Sequence, residues 1–126
     1  MNQELFEKKR VLIVDDEPRI GRIIGLKLRL FGYEPIIVTS GAEALRLVET
    51  QNLALMLLDI VMPDMDGFQV LEKLRVFSRL PVIAFSARSE NGPKAIELGA
   101  NDFLAKPFKV DDVVMRVKGI LGDKDS

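Results

Sequence analysis

The sequence contains no cysteine, no histidine and no tryptophan. Without cysteine there can be no disulfide framework, thiolate nucleophile or cysteine-based zinc site, which suits a reducing cytoplasm. Without histidine, imidazole acid–base catalysis, His-based triads and the commonest transition-metal ligand are excluded. Long hydrophobic runs are missing too. The longest, Val11–Val14 and Leu53–Leu58, are far too short to cross a bilayer. The mixed-charge stretch Met1–Arg10 has no apolar run behind it and does not read as a signal peptide. Nor is there an excess of one charge: 18 Lys+Arg face 19 Asp+Glu, a formal net charge of −1. That balance gives no electrostatic footprint for nucleic acid or an anionic membrane, and no helix-turn-helix pattern follows residue 122. The expectation is a cytoplasmic protein that binds neither membrane nor nucleic acid by itself. Carboxylates, hydroxyls, amines and a hard, oxygen-preferring metal remain for its chemistry.

What is present is an ordinary globular composition, 126 residues with 48% hydrophobic and 29% charged. It is enough for one domain over 1–126 with a real core at about 10–121; Gly122–Ser126 reads as a solvated tail. Five short apolar runs recur: Val11–Val14, Pro35–Val38, Ala54–Leu58, Val82–Phe85 and Phe103–Ala105. Continuous apolarity over so few residues predicts strands of a parallel sheet covered on both faces. Helical patterns lie between them. Ile20, Ile23, Ile24, Leu28 and Phe31 mark the apolar face of a first helix between Pro18 and Gly32. Ala44, Leu45 and Val48 mark a second after Ser40, and Phe68, Val70, Leu71 and Leu74 a third after Asp66-Gly67. A thin fourth lies near Pro93–Leu98. The fifth runs from Val110 to Leu121, with Asp111 and Asp112 in its first turn, where the helix dipole favours acids. Strand–helix alternation repeated five times predicts a doubly wound α/β fold.

In such a sheet ligands bind beyond the carboxyl ends of the strands. Asp15, Asp16 and Glu17 follow the first strand, Asp59 the third, Ser86 the fourth and Lys106 the fifth. If the strand order is 2-1-3-4-5, as in flavodoxin-like folds, Asp15, Asp16 and Asp59 converge. Clustered carboxylates raise one another's pKa unless a cation joins them, and an all-oxygen donor set favours Mg²⁺ or Mn²⁺. With no glycine-rich loop after the first strand, the site reads as a metal site awaiting a phosphoryl group. An Asp beside the metal can act as nucleophile, with Lys106 and Ser86 stabilising the transferred oxygens. Each residue also has a structural reading. Asp16 or Glu17 could cap the first helix and Ser86 the fourth, Asp66-Gly67 is first a turn and helix start, and a lone lysine is usually a solvated charge. Asp59 resists such a reading, because neither strand nor turn chemistry demands an acid directly after Leu57-Leu58.

Over residues 10–121 the sequence resembles the receiver domain of the two-component response regulators. Asp15-Asp16 resembles the family's metal-binding pair, and Leu58 to Gly67 its phospho-acceptor segment. Ser86-Ala87-Arg88 resembles its signalling Thr/Ser position and Gly99 to Phe108 its final motif. The resemblance implies a (βα)5 fold with sheet order 2-1-3-4-5. It also implies Mg²⁺, with Mn²⁺ as a substitute, bound by Asp16, Asp59 and the backbone carbonyl of Val61, with Asp15 acting mainly through water. It assigns Asp59 as acceptor of a phosphoryl group from a sensor histidine kinase or phosphotransfer protein. Lys106 would contact the phosphoryl oxygens, Ser86 would swing toward them, and Phe103 would be the switch aromatic; Pro107 matches the family's cis-peptide position. Such a chain is a switch rather than a turnover enzyme, acting on a downstream protein or a detached output domain, with a phosphorylation-linked homodimer as one form of output. The segment from Ser86 to Gly99 is about a turn shorter than the family's usual length, with Asn91-Gly92-Pro93 near its start. Val61 and Arg88, two residues after Asp59 and Ser86, imply a long-lived phosphate. Val61 offers water no hydrogen bond, and Arg88 could reach the phosphate.

Three other readings are separable. A pseudo-receiver would lack an acid, Lys106 or Ser86, and all are present. An FMN protein would need a hydroxyl- and glycine-rich loop where Asp15-Asp16 stands. An aspartyl-phosphate phosphohydrolase would need its nucleophile after the first strand, a second acid two residues on, and a capping insertion.

Overall fold

In the computed structural model, which describes residues 7–123, the strand–helix alternation is realised in full. The strands are β1 (Arg10–Val14), β2 (Glu34–Val38), β3 (Leu55–Asp59), β4 (Val82–Ser86) and β5 (Asp102–Ala105). The helices are α1 (Pro18–Leu30), α2 (Gly41–Thr50), α3 (Gly67–Phe77), α4 (Asn91–Glu97) and α5 (Val110–Leu121). The strands form one parallel sheet in the expected order β2-β1-β3-β4-β5. Leu12, Val14, Met56, Leu58, Val82 and Ala84 project to one face, covered by residues of α2, α3 and α4. Val11, Ile13, Leu55, Leu57, Ile83 and Phe85 project to the other, against Ile24 and Leu28 of α1 and Val113, Val114 and Val117 of α5. Burial on both faces is why the central runs are apolar without alternation. The edge strands are the exceptions: in β2 Pro35 and Ile36 are half-buried and Ile37 is exposed, and in β5 Phe103 is half-buried and Ala105 exposed. Pro35 has no N–H to donate and fits an edge position.

Two sequence expectations need correction. Ile23 and Phe31 are 49% and 47% exposed, so they do not belong to the buried face of α1. That face is Gly21, Ile24, Gly25 and Leu28. A Cβ at Gly21 would lie 2.7 Å from Cγ2 of Ile37, so the glycines let α1 settle onto β2 and rotate its apolar stripe toward them. Phe31 instead lies under the Lys118 ammonium, 4.4 Å from its ring centroid. The second correction concerns the tail, of which Lys124–Ser126 lie outside the described residues. Asp123 is tied down, its carboxylate 2.7 Å from Lys9 Nζ and accepting a 2.8 Å hydrogen bond from the Tyr33 hydroxyl. These contacts, the Lys9 hydrogen bond foremost, hold its pKa below the usual value.

Two local devices frame the functional end and its opposite. Asp66 opens α3 with a capping box: its carboxylate accepts the Gln69 N–H, and the Gln69 side chain accepts the Asp66 N–H, both at 2.9 Å. Asp66→Ala is expected to cost about 1 kcal/mol, read as a lower urea midpoint with an unchanged m-value. At the far end, Arg75 of α3 donates from Nε and Nη2 to the Gly99 carbonyl and from Nη1 to that of Ser78. Asn101 beside it brackets the start of β4, its N–H on the Val82 carbonyl and its Oδ1 accepting the Val82 N–H.

Candidate functional site

The carboxyl ends of β1, β3, β4 and β5 lie side by side because of the strand order. Val14 is in register with Leu58, Asp59 with Phe85, and Ser86 with Ala105. Asp15 follows β1, Asp59 and Ser86 end β3 and β4, and Lys106 follows β5. The structure thus brings Asp15, Asp16, Asp59 and Lys106 together, with ligand oxygens of the three acids within 4.8 Å of one another.

Asp15 is fully buried and Asp59 is 3% exposed, whereas Asp16 is open to solvent. Lys106 Nζ sits between the two buried acids, 3.5 Å from Asp15 Oδ2 and 3.4 Å from Asp59 Oδ2. Both distances exceed the usual hydrogen-bond range: one ammonium is shared rather than committed. The same ammonium lies 5.1 Å from the Phe85 ring centroid, which gives it a second electrostatic partner. Backbone donors fix the orientation of the acids. Asp15 Oδ1 accepts the Glu17 N–H at 2.9 Å and Asp59 Oδ1 accepts the Val61 N–H at 3.2 Å. Burial, and then the charge of Asp15, push the Asp59 carboxyl up to about 6, although Lys106 and the Val61 N–H pull the other way. Burial raises Asp15 as well, against the Glu17 N–H and Lys106.

Two desolvated carboxylates sharing one cation leave the pocket short of positive charge. Its donors are hard oxygens, with no nitrogen or sulfur ligand. That set fits a small divalent cation such as Mg²⁺, which prefers one or two carboxylates plus waters and phosphate oxygens.

Ser86 shares this sheet edge and is fully buried, yet its hydroxyl faces other partners. Its Oγ accepts the Arg88 N–H and the Asn91 side-chain amide, each at 3.0 Å. Phe103 is half-buried in β5 and packs against the core. The Val61 side chain is 53% exposed and Arg88 is exposed. Glu17, at the N-cap of α1, makes no side-chain capping bond. The Lys106-Pro107 peptide bond is cis. Sequence reasoning missed Asn91 and Phe85 as partners of Ser86 and Lys106, and Gly67 as more than a turn residue. A Cβ at Gly67 would lie 2.6 Å from both the Asp59 carbonyl oxygen and Ile60 Cα. Of these, only the Asp-Gly pair before an apolar helix carried a signal in the sequence.

The profile of the response regulator receiver domain matches residues 11–118. The transcriptional regulatory protein SrrA of Staphylococcus aureus is 42% identical over 113 residues, 88% of this chain and 47% of that protein. The probable transcriptional regulator ycf27 of Cyanophora paradoxa is 36% identical over 118 residues, 92% of this chain and 49% of that protein. The chain spans about half the length of these curated relatives. Among solved structures, the receiver domain of the Francisella response regulator 1452 superposes with a TM-score of 0.86 at 33% identity, covering 91% of this chain and 98% of that one. The Thermotoga maritima response regulator TrrA, solved in complex with Mg²⁺-BeF, gives 0.81 at 32% identity, covering 89% and 98%. Sheet order, acidic cluster and these matches agree: the chain belongs to the receiver-domain family of two-component response regulators.

Proposed function

We propose that this chain is a phosphorylation-dependent switch with Asp59 as its phospho-acceptor. The observation that carries the reading is the buried Asp59 at the end of β3, crowded by Asp15 and sharing the single Lys106 ammonium with it. The donor is the phosphohistidine of a sensor kinase or phosphotransfer protein. A carboxylate oxygen of Asp59 bonds to phosphorus as the donor's P–N bond breaks, and the imidazole nitrogen keeps the electron pair. Asp16, Asp59 and the Val61 carbonyl would hold Mg²⁺, or Mn²⁺ in its place, with Asp15 acting mainly through water, and the ion would supply charge neutralisation for the phosphoryl group. Lys106 moves from its shared position onto those oxygens. Ser86 then turns toward them and Phe103 follows, changing the surface offered to a downstream protein, an output domain or a second copy of the chain. The family is one of response regulators, so the phosphoryl group on Asp59 serves as a signal read through that surface rather than as a step in turnover of an external substrate.

The test is incubation with acetyl phosphate and Mg²⁺ followed by intact mass. One Mg²⁺-dependent phosphoryl adduct is expected, absent in Asp59→Asn. The exposed, apolar Val61 and the exposed Arg88 two residues after Ser86 are expected to give slow decay of that adduct, and hydrolysis within seconds would contradict their assigned effect. A wild-type protein that neither forms the adduct nor binds Mg²⁺ would instead be a binding module on a receiver scaffold.

A further inference from the structure

The Ser86 hydroxyl is bound, and one of its two partners belongs to another element. Asn91, the first residue of α4, donates its side-chain amide to Ser86 Oγ at 3.0 Å. The other bond, from the Arg88 N–H, is local to the connection between β4 and α4. That connection is wound tightly, with the Asn91 N–H on the Arg88 carbonyl and the Gly92 N–H on that of Ser89, each at 3.1 Å. The next residue, Gly92, is buried against Phe103: a Cβ there would lie 3.0 Å from Cδ2 of the ring. The first turn of α4 therefore touches Ser86 through residue 91 and Phe103 through residue 92.

Building on the proposed switch, we infer that Asn91 is a positioning residue that latches the Ser86 hydroxyl to α4 in the resting state. Ser86 cannot turn toward a phosphoryl group on Asp59 while its Oγ accepts from both Arg88 and Asn91. Turning breaks the Asn91 bond, which frees the first turn of α4 and with it the packing over Phe103. One hydrogen bond thus links the two residues assigned to the switch, and removing it biases the equilibrium toward the activated arrangement.

The test uses beryllofluoride with Mg²⁺ as a phosphoryl mimic, titrated by backbone NMR against the wild type, Asn91→Ala, Ser86→Ala and the double variant. The net worth of one hydrogen bond predicts that Asn91→Ala binds the mimic roughly three- to tenfold more tightly than wild type. In the Ser86→Ala background the same substitution is expected to change nothing, because its effect runs through Oγ. Asn91→Leu, which keeps the side-chain shape without a donor, gives a second folded variant and is expected to tighten binding likewise. Unchanged affinity in both single Asn91 variants would overturn the latch, as would an equal effect with and without Ser86. A wild type that binds no beryllofluoride, or an Asp59→Asn variant that binds it as well, would remove the switch reading itself and the latch with it.

Discussion

Asp59→Asn is expected to make the metal-free protein more stable at neutral pH, by on the order of 2–3 kcal/mol. Asp59 is almost fully buried, and its carboxyl is pushed from 3.8 to about 6 by desolvation and by Asp15. The folded state therefore holds the Asp59 proton more tightly than the unfolded chain does. Below the unfolded value of about 4 both states are protonated, and the acid costs little. As pH rises from there through about 6, the unfolded chain ionises freely while the folded one resists, so stability falls; above about 6 the penalty is complete. The amide of Asn carries no charge and escapes it. Urea denaturation without metal at several pH values checks this: the gap should be full at pH 7.5, narrow through pH 6 and close near pH 4. Millimolar Mg²⁺ should shrink it at neutral pH by stabilising the wild type, an effect that weakens in acid as protons compete for the ligands. A variant no more stable than wild type at pH 7.5 would contradict the account of the site.

Gly67→Ala is expected to be the most damaging small substitution near the site. The added Cβ would meet the Asp59 carbonyl oxygen and Ile60 Cα at 2.6 Å, and Cδ1 of Ile60 at 2.8 Å. Two of these are backbone atoms, which cannot swing aside as a flexible side chain would, and the Gly67 N–H is bound to the Ile60 carbonyl at 2.8 Å. Either α3 lifts away from β3 or the end of β3 shifts and carries Asp59 with it. A loss of about 3 kcal/mol or more is the expected cost of such overpacking, seen as a large drop in urea midpoint. Slower adduct formation with acetyl phosphate should accompany it even in the fraction that stays folded. Wild-type stability in this variant would show that α3 has room the structure does not give it.

The sheet was legible because its central strands are covered on both faces, which wrote Val11–Val14, Leu55–Leu58 and Val82–Phe85 as unbroken apolar runs. The candidate site was legible from joint placement: Asp16, Ser86 and Lys106 each have a structural or solvated reading when taken alone, but with Asp15 and Asp59 they all end or follow strands at one end of the sheet. What escaped depends on distances between segments far apart in the chain. The buried stripe of α1 turned toward Gly21 and Gly25 because Ile37, across the connection to β2, packs against them. An apolar tally gives glycine no weight and so placed Ile23 and Phe31 inside. The amide of Asn91 became informative only once the fold set it beside Ser86. Likewise Asp123 looked like tail until Lys9, from the other end of the chain, and Tyr33, just before β2, closed on it.

The clamp of Arg75 on Gly99 has a mechanical consequence for the short helix α4. With seven residues α4 is about 10 Å long. Its carboxyl end runs into Gly99 and Asn101, fastened to α3 and to the start of β4, while its amino end is held through the Ser86 hydroxyl. A rod fixed at one end converts end displacement into angle in inverse proportion to its length. A shift of about 2 Å at the first turn swings this helix by about 10°, roughly twice the angle for a helix of double the length. The exposed Ile96, near the fulcrum, would then tilt more than it travels. Shortening α4 by a turn raises the angular gain of the lever.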